Sequence, residues 1–228
     1  MQIPHPLLLG HRGSPRQARE NTLESYRLAL QAGLDGLELD LHRTRDGVLA
    51  IHHDFDLEGR TIAAMDWADL RAAASWLPRL EEVLELKQEF PGVWLNLELK
   101  SQPPESDRRE KALVEALGPG QNPERVWVSS FDPLALIRLK NLGVSVPLAL
   151  LAYQLEVLEL LPCLPVQGVH PHHAMLSEAS VAEFKARGLF VCTWTVNDAE
   201  RARTLLRWGV DGLIGDDPAV LLEARGPI

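Results

Sequence analysis

The stretch GLDGLELDL, Gly33–Leu41, sets Leu37, Leu39 and Leu41 in alternation with Glu38 and Asp40. Successive side chains of a strand point to opposite faces, so the leucines go one way and both carboxylates the other. Further along, VWLNLELKS, Val93–Ser101, repeats the pattern, with Leu95, Leu97 and Leu99 on one side and Asn96, Glu98 and Lys100 on the other. Strands with an apolar face for helices and a charged reverse face suit a barrel, whose inward residues near the strands' carboxyl ends open onto the site built by the βα-loops.

Outward from these two segments, short apolar runs alternate with longer amphipathic ones, and Gly, Pro and Asp mark the joints. The strand candidates are Leu7–Gly10, Leu34–Leu41, Val93–Leu99, Arg125–Ser129, Ser145–Leu150, Val166–His170, Leu189–Thr195 and Val210–Gly215, with Val48–His52 as a short extra strand. Helices are expected between them. Asn21, three residues before Glu24, resembles a capping box for LESYRLALQA, which Gly33 stops; NDAERARTLLRWG begins at Asn197 or Asp198 and LSEASVAEFKARG ends at Gly188. The expectation is an α/β fold, a single-domain (β/α)8 TIM barrel over residues 1–228 with residues 54–79 a short insertion after the second strand.

Composition narrows the function. A net charge of −9 argues against a nucleic-acid partner, whose binding draws on clustered lysine and arginine. No apolar run approaches the roughly 20 residues of a transmembrane helix. The amino-terminal MQIPHPLLLGHRG lacks a basic leader and a small-residue cleavage site, so a cytoplasmic location is expected. Cys163 and Cys192 lie far apart in apolar settings and are expected to be buried, inert thiols. Oligomeric state is not legible.

In a barrel Glu38, Asp40 and Glu98 would converge. Three carboxylates together repel one another and resist desolvation, so one divalent cation is the economical explanation, and all-oxygen ligation favours Mg2+, Ca2+ or Mn2+. A metal-free network with Arg12 and Lys100, or a solvated sheet edge, is the plainer alternative. His11 directly follows the first strand and His53 the second unit, which puts both at the barrel mouth, where two histidines could serve as acid and base. Arg12 and Lys100 supply donors suited to a phosphate oxygen. The cluster VHPHH, with His170, His172 and His173, reads as a rim loop.

Taken in order, HRGSPRQARENT, ELDLHRTRDG, HHD, NLELK, TWTVN and DGLIGDDP resemble the sequence blocks of the glycerophosphodiester phosphodiesterase family, along almost the whole chain. The resemblance implies metal-dependent hydrolysis of glycerophosphodiesters to glycerol 3-phosphate and an alcohol. It carries His11 and His53 onto the catalytic positions, Glu38, Asp40 and Glu98 onto the metal positions, and Arg12 and Lys100 onto the phosphate contacts. Asp54 completes the His-Asp pair, His52 faces away, and Trp194 flanks the glycerol or packs in the core. The segment from His53 to Leu80 is a shortened version of the family's insertion. Competing expectations are a metal-independent phospholipase C of the phosphatidylinositol type, a glycosidase using Glu38 and Glu98, and a non-catalytic phosphate-binding barrel.

Overall fold

In a computed structural model, which describes residues 3–101, 106–118 and 124–226, eight parallel strands close on themselves. They are β1 (Leu7–His11), β2 (Gly36–Arg43), β3 (Trp94–Leu99), β4 (Val126–Ser130), β5 (Leu148–Ala152), β6 (Gly168–Pro171), β7 (Phe190–Thr193) and β8 (Gly212–Gly215). Each pairs with the next, and β1 pairs both with β2, Leu9 beside Gly36, and with β8, Leu7 beside Gly212. This is the expected (β/α)8 barrel. Met1 and Gln2 of the amino-terminal stretch lie outside the described residues.

Helices α1 (Leu23–Gln31), α2 (Trp67–Ala73), α3 (Leu80–Glu89), α4 (Arg109–Ala116), α5 (Pro133–Asn141), α6 (Leu155–Leu158), α7 (Glu178–Ala186), α8 (Ala199–Arg207) and α9 (Pro218–Arg225) fill the connections. Apart from α2, their inner faces pack on the outward leucines, including Leu37, Leu39, Leu41, Leu95, Leu97 and Leu99, in one continuous core. A second, smaller core fills the barrel itself: Leu7, Leu9, Trp94, Trp127, Ala149, Phe190, Cys192 and Ile214. Gly168 must be glycine here, because a Cβ would fall 2.2 Å from the Phe190 ring.

Some boundaries differ from the sequence expectation. β2 runs on to Arg43 because Leu49–Ile51 folds back antiparallel against Leu41–Arg43 and satisfies its backbone groups. Residues 54–79 form a hairpin (Asp56–Leu57 with Arg60–Thr61) and α2, which pack Ile62, Met65, Leu70 and Leu77 with Ala50 into a small core of their own. Asn21 is not the cap of α1. Thr22 is, its hydroxyl accepting from Ser25 N at 3.1 Å, while Asn21 takes φ +54° and turns its amide inward. Asp198, and not Asn197, caps α8.

Two further expectations are corrected. Cys192 is buried in the barrel, but Cys163 is exposed, because the turn Leu161–Cys163 directs Leu161 inward and leaves the thiol outside. His170 is not a rim residue: it sits wholly inside the barrel, where its Nε2 accepts from Trp127 Nε1 at 3.2 Å. His172 and His173, one strand end further, are the histidines at the rim, with ring centroids 4.6 Å apart.

Candidate active site

The carboxyl end of β1 makes a tight corner. A Cβ on Gly10 would lie 2.3 Å from Gly13 O, and Arg12 and Gly13 both take positive φ, +55° and +92°. The corner aims the Arg12 backbone N–H at β2, where it donates to Glu38 O at 3.0 Å and to Glu38 Oε2 at 3.2 Å. His11 is thereby left facing the cleft, with Nε2 3.9 Å from Glu38 Oε2.

The register of β2 and β3 pairs Glu38 with Asn96 and Asp40 with Glu98. Since the leucines between them face the helices, all four polar side chains point into the barrel. One carboxylate oxygen from each of Glu38, Asp40 and Glu98 lies within 4.8 Å of the others. Burial pushes the Glu38 carboxyl well above its ordinary range, reinforced by the charges of Asp40 and Glu98; burial and Asp40 also raise Glu98, against the pull of Lys100. Asp40 goes the other way: burial alone would raise it, but Lys100 and Arg12 hold it down.

The cations that a metal-free network would use are present. Arg12 Nε stands 3.4 Å from Asp40 Oδ2, and Lys100 Nζ lies 3.0 Å from Glu98 Oε1 and 3.4 Å from Asp40 Oδ1. Two cations against three carboxylates leave one negative charge over, and Glu38 Oε1 is buried with no hydrogen-bond partner. An orphaned carboxylate oxygen beside two others is the donor set a hard divalent cation satisfies, so these residues fit such an ion.

The histidines are each braced at Nδ1. His11 Nδ1 lies 2.6 Å from Asp216 Oδ1, and Asn197 donates to the other oxygen of Asp216 at 2.5 Å. Burial opposes the charge of Asp216, but its bond to His11 lowers the carboxyl overall. An ionised carboxylate only accepts, so His11 donates from Nδ1 and turns Nε2 to the cleft. His53 Nδ1 is held likewise by Asp54 Oδ1 at 2.7 Å, and half-burial pulls the imidazole below its ordinary value. His52 instead lies near Trp76, ring centroids 5.9 Å apart.

His11, Arg12, Glu38, His53, Glu98, Lys100 and Trp194 line a single cleft, with Asn96 and Phe131. Asp40 lies beneath, 1% exposed, covered by Arg12 and Lys100. Trp194 is half-buried at the rim and donates from Nε1 to His170 O at 2.8 Å. A larger hollow of about 690 Å3 lies at the opposite end of the barrel, lined by Ile3, His5, Asp35, Trp94 and Arg125. It holds none of the clustered carboxylates, and Asp35 is already engaged by Arg225.

Sequence reasoning did not single out Asn21, Asn96, Asp216 or Asn197 for the site. Asp216 and Asn197 lay within the quoted blocks DGLIGDDP and TWTVN, so a signal existed. Asn21 was hidden by its fitness as a helix cap.

The sequence pattern of the Glycerophosphoryl diester phosphodiesterase family matches residues 11–220. The chain belongs to this family. Similar proteins include the glycerophosphodiester phosphodiesterase of Caldanaerobacter subterraneus subsp. tengcongensis, 29% identical over 95% of this chain and 96% of that protein. The glycerophosphodiester phosphodiesterase of Bacillus altitudinis is 30% identical over 96% of this chain and 97% of its own length. An Oleispira antarctica phosphodiesterase, solved in complex with the product sn-glycerol-3-phosphate, superposes with a TM-score of 0.87 at 30% identity, over 98% of each chain. Among the described residues no helix of this family member is long and apolar enough to cross a membrane.

Proposed function

We propose that the chain hydrolyses glycerophosphodiesters to glycerol 3-phosphate and an alcohol, with one divalent cation held by Glu38, Asp40 and Glu98 and with His11 and His53 moving the protons. The observation that carries this reading is the meeting of three carboxylates within 4.8 Å, Glu38 and Glu98 lining the cleft and Asp40 beneath it, with two histidines braced at Nδ1. Mg2+ or Ca2+ suits the oxygen donors, and Mn2+ would also be accepted. When bound, the ion supplies Lewis-acid polarisation of the phosphoryl oxygens.

The chain's own residues supply the rest. Lys100 has a buried ammonium that Glu98 and Asp40 keep charged in spite of burial. With Arg12, it offers donors against charge developing on the phosphoryl oxygens. His11 Nε2 and His53 Nε2 face the cleft as the two proton-handling atoms. One accepts the proton of the nucleophile and the other returns a proton to the leaving alcohol; where the nucleophile is water the product is glycerol 3-phosphate directly, and where it is the glycerol 2-hydroxyl a cyclic phosphate forms, which water then opens to glycerol 3-phosphate with the two proton roles reversed. Asp216 and Asp54 hold the rings and favour the imidazolium that forms. Trp194 forms a wall beside the glycerol.

The test is release of glycerol 3-phosphate from glycerophosphocholine by the purified protein, with and without a chelator. Release that stops on chelation and returns with added divalent ion supports the reading. Activity that survives chelation would move the chain to a metal-independent phospholipase C mechanism, and binding of diesters without release of an alcohol would make it a phosphate-binding barrel.

A further inference from the structure

The strand that carries Glu98 leads into Lys100 beyond the end of its own ladder. β3 pairs with β4 only as far as Glu98 beside Ser129, while on its other edge Lys100 N still donates to Leu41 O at 3.0 Å. Leu99 and Lys100 are both buried, so their carbonyls have to find partners outside the ladder. Side chains supply them. Leu99 O accepts from Ser130 Oγ at 2.8 Å, and Lys100 O accepts from Arg109 Nη1.

Arg109 opens α4 and is 8% exposed. Its Nε and Nη2 donate to the two oxygens of Asp107 at 2.7 and 3.1 Å, which leaves Nη1 turned to Lys100. Asp107 Oδ1 also accepts from the Arg109 backbone N–H at 3.0 Å. A guanidinium is a rigid plane, so gripping it along one edge fixes where its remaining nitrogen points. One residue past Lys100, Ser101 Oγ donates to Asp132 Oδ2 at 2.6 Å, and the other Asp132 oxygen accepts from Leu134 N at 2.9 Å. Arg109 and Asp107 stand outside the lining of the catalytic cleft. A buried ion pair adds little stability over apolar packing. This one does decide where the end of β3 sits.

We propose that Arg109 is a positioning residue for Lys100, locking the chain at the end of β3 so that the Lys100 ammonium meets the phosphoryl oxygens of the bound ester. The ammonium ends a flexible four-carbon stem, so its place depends on the backbone that carries it. It lies 3.0 Å from Glu98 Oε1 and 3.4 Å from Asp40 Oδ1, and Lys100 lines the cleft with Arg12. A misplacement of about 1 Å in a group that meets substrate can cost about 100-fold in rate, even when the change responsible lies far from the chemistry. The proposal rests on the phosphodiesterase reading above for the identity of the ester.

The experiment is a double-substitution cycle on the full chain. Arg109→Met keeps the stem and removes the donors, and Lys100→Met removes the ammonium through which Arg109 acts. Calorimetric titration with glycerol 3-phosphate in the presence of Mg2+ reads anion binding, titration with Mg2+ alone reads the carboxylates, and glycerophosphocholine turnover reads catalysis. Arg109→Met should weaken glycerol 3-phosphate binding by about 10-fold and lower kcat/KM by about 10- to 100-fold. Mg2+ affinity should hold or rise, because a displaced ammonium no longer competes for Glu98 and Asp40, whereas a loosened fold would lower it. On the Lys100→Met background the Arg109 substitution should change neither anion binding nor kcat/KM further. Asp107→Asn, which frees the guanidinium without removing it, carries the same cycle if Arg109→Met does not fold. Wild-type anion affinity in Arg109→Met, a fall in its Mg2+ affinity, an effect undiminished on the Lys100→Met background, or no anion binding by the wild-type chain would overturn the proposal. If no diester is turned over, the phosphodiesterase reading fails, while the anion titrations still decide the role of Arg109.

Discussion

The Asn21 side-chain amide donates to Asp40 Oδ2 at 2.8 Å, and Asn21 Oδ1 in turn accepts from the buried Tyr26 hydroxyl at 2.8 Å. A residue at the start of α1 thus fixes the orientation of a carboxylate in the middle of β2. Partners that orient metal ligands typically govern affinity by about 10- to 100-fold. Asn21→Gly, which tolerates the positive φ but lacks the amide, should therefore weaken divalent-ion binding by that order. Calorimetric titration with Mg2+ or Mn2+ checks this, and unchanged affinity would show that Asp40 orients itself.

Removing one of three anionic ligands should cost more. Glu98→Ala is expected to lower metal affinity by at least about 100-fold and to leave Lys100 without its 3.0 Å partner. The same titration, run beside circular dichroism to confirm the fold, would exclude Glu98 from the ligand set if affinity held.

His11→Ala and His53→Ala should each reduce kcat by at least about 100-fold, the usual worth of a positioned acid or base. Asp216→Asn is the more discriminating variant. It leaves His11 in place but replaces a carboxylate 2.6 Å from Nδ1 with an amide that no longer fixes the Nδ1–H tautomer. A loss of roughly tenfold or more in kcat with little change in KM is expected. Wild-type turnover in Asp216→Asn would reduce the pair to a structural contact.

His170 should make the fold acid-sensitive on its own account. Burial pushes its pKa down to about 3 from an ordinary 6.5. Between those values the unfolded chain binds a proton that the folded chain refuses, so its contribution to stability is fully present above about pH 6.5 and is lost as the pH falls toward about 3. The slope for one proton is about 1.4 kcal/mol per pH unit. His170→Gln, which can still accept from Trp127 Nε1, should flatten the pH dependence by about that amount. Urea unfolding from pH 7 to pH 4 measures it, and an unaltered slope would assign the acid lability elsewhere.

Much of the fold was legible because its signal is local. The alternation of Leu37, Glu38, Leu39, Asp40 and Leu41 has the period of a strand and needs no distant partner to be read. The same holds for Asn96, Glu98 and Lys100, and for the eight repeats of apolar run and amphipathic segment. Element ends were less legible. The end of β2 depends on Leu49–Ile51 returning to pair with it, and the cap of α1 depends on Asn21 being drawn off by Asp40. The exposure of Cys163 was not legible, because apolar neighbours do not reveal which of them a tight turn points inward.

The sequence by itself determined that the carboxylates share a face of their strands and that the histidines follow strand ends, since both follow from the geometry of one extended chain. Only the tertiary structure decided which side chains meet. β1 and β8 lie in register with Gly10 beside Gly215, so the next residues, His11 and Asp216, arrive together although 205 positions separate them. Closure also carried His170 into the interior and left Phe131 and Tyr153 at the rim. The physical reason is that strand periodicity is a property of each segment alone, whereas register around a closed barrel is fixed jointly by all eight strands and by the packing within them.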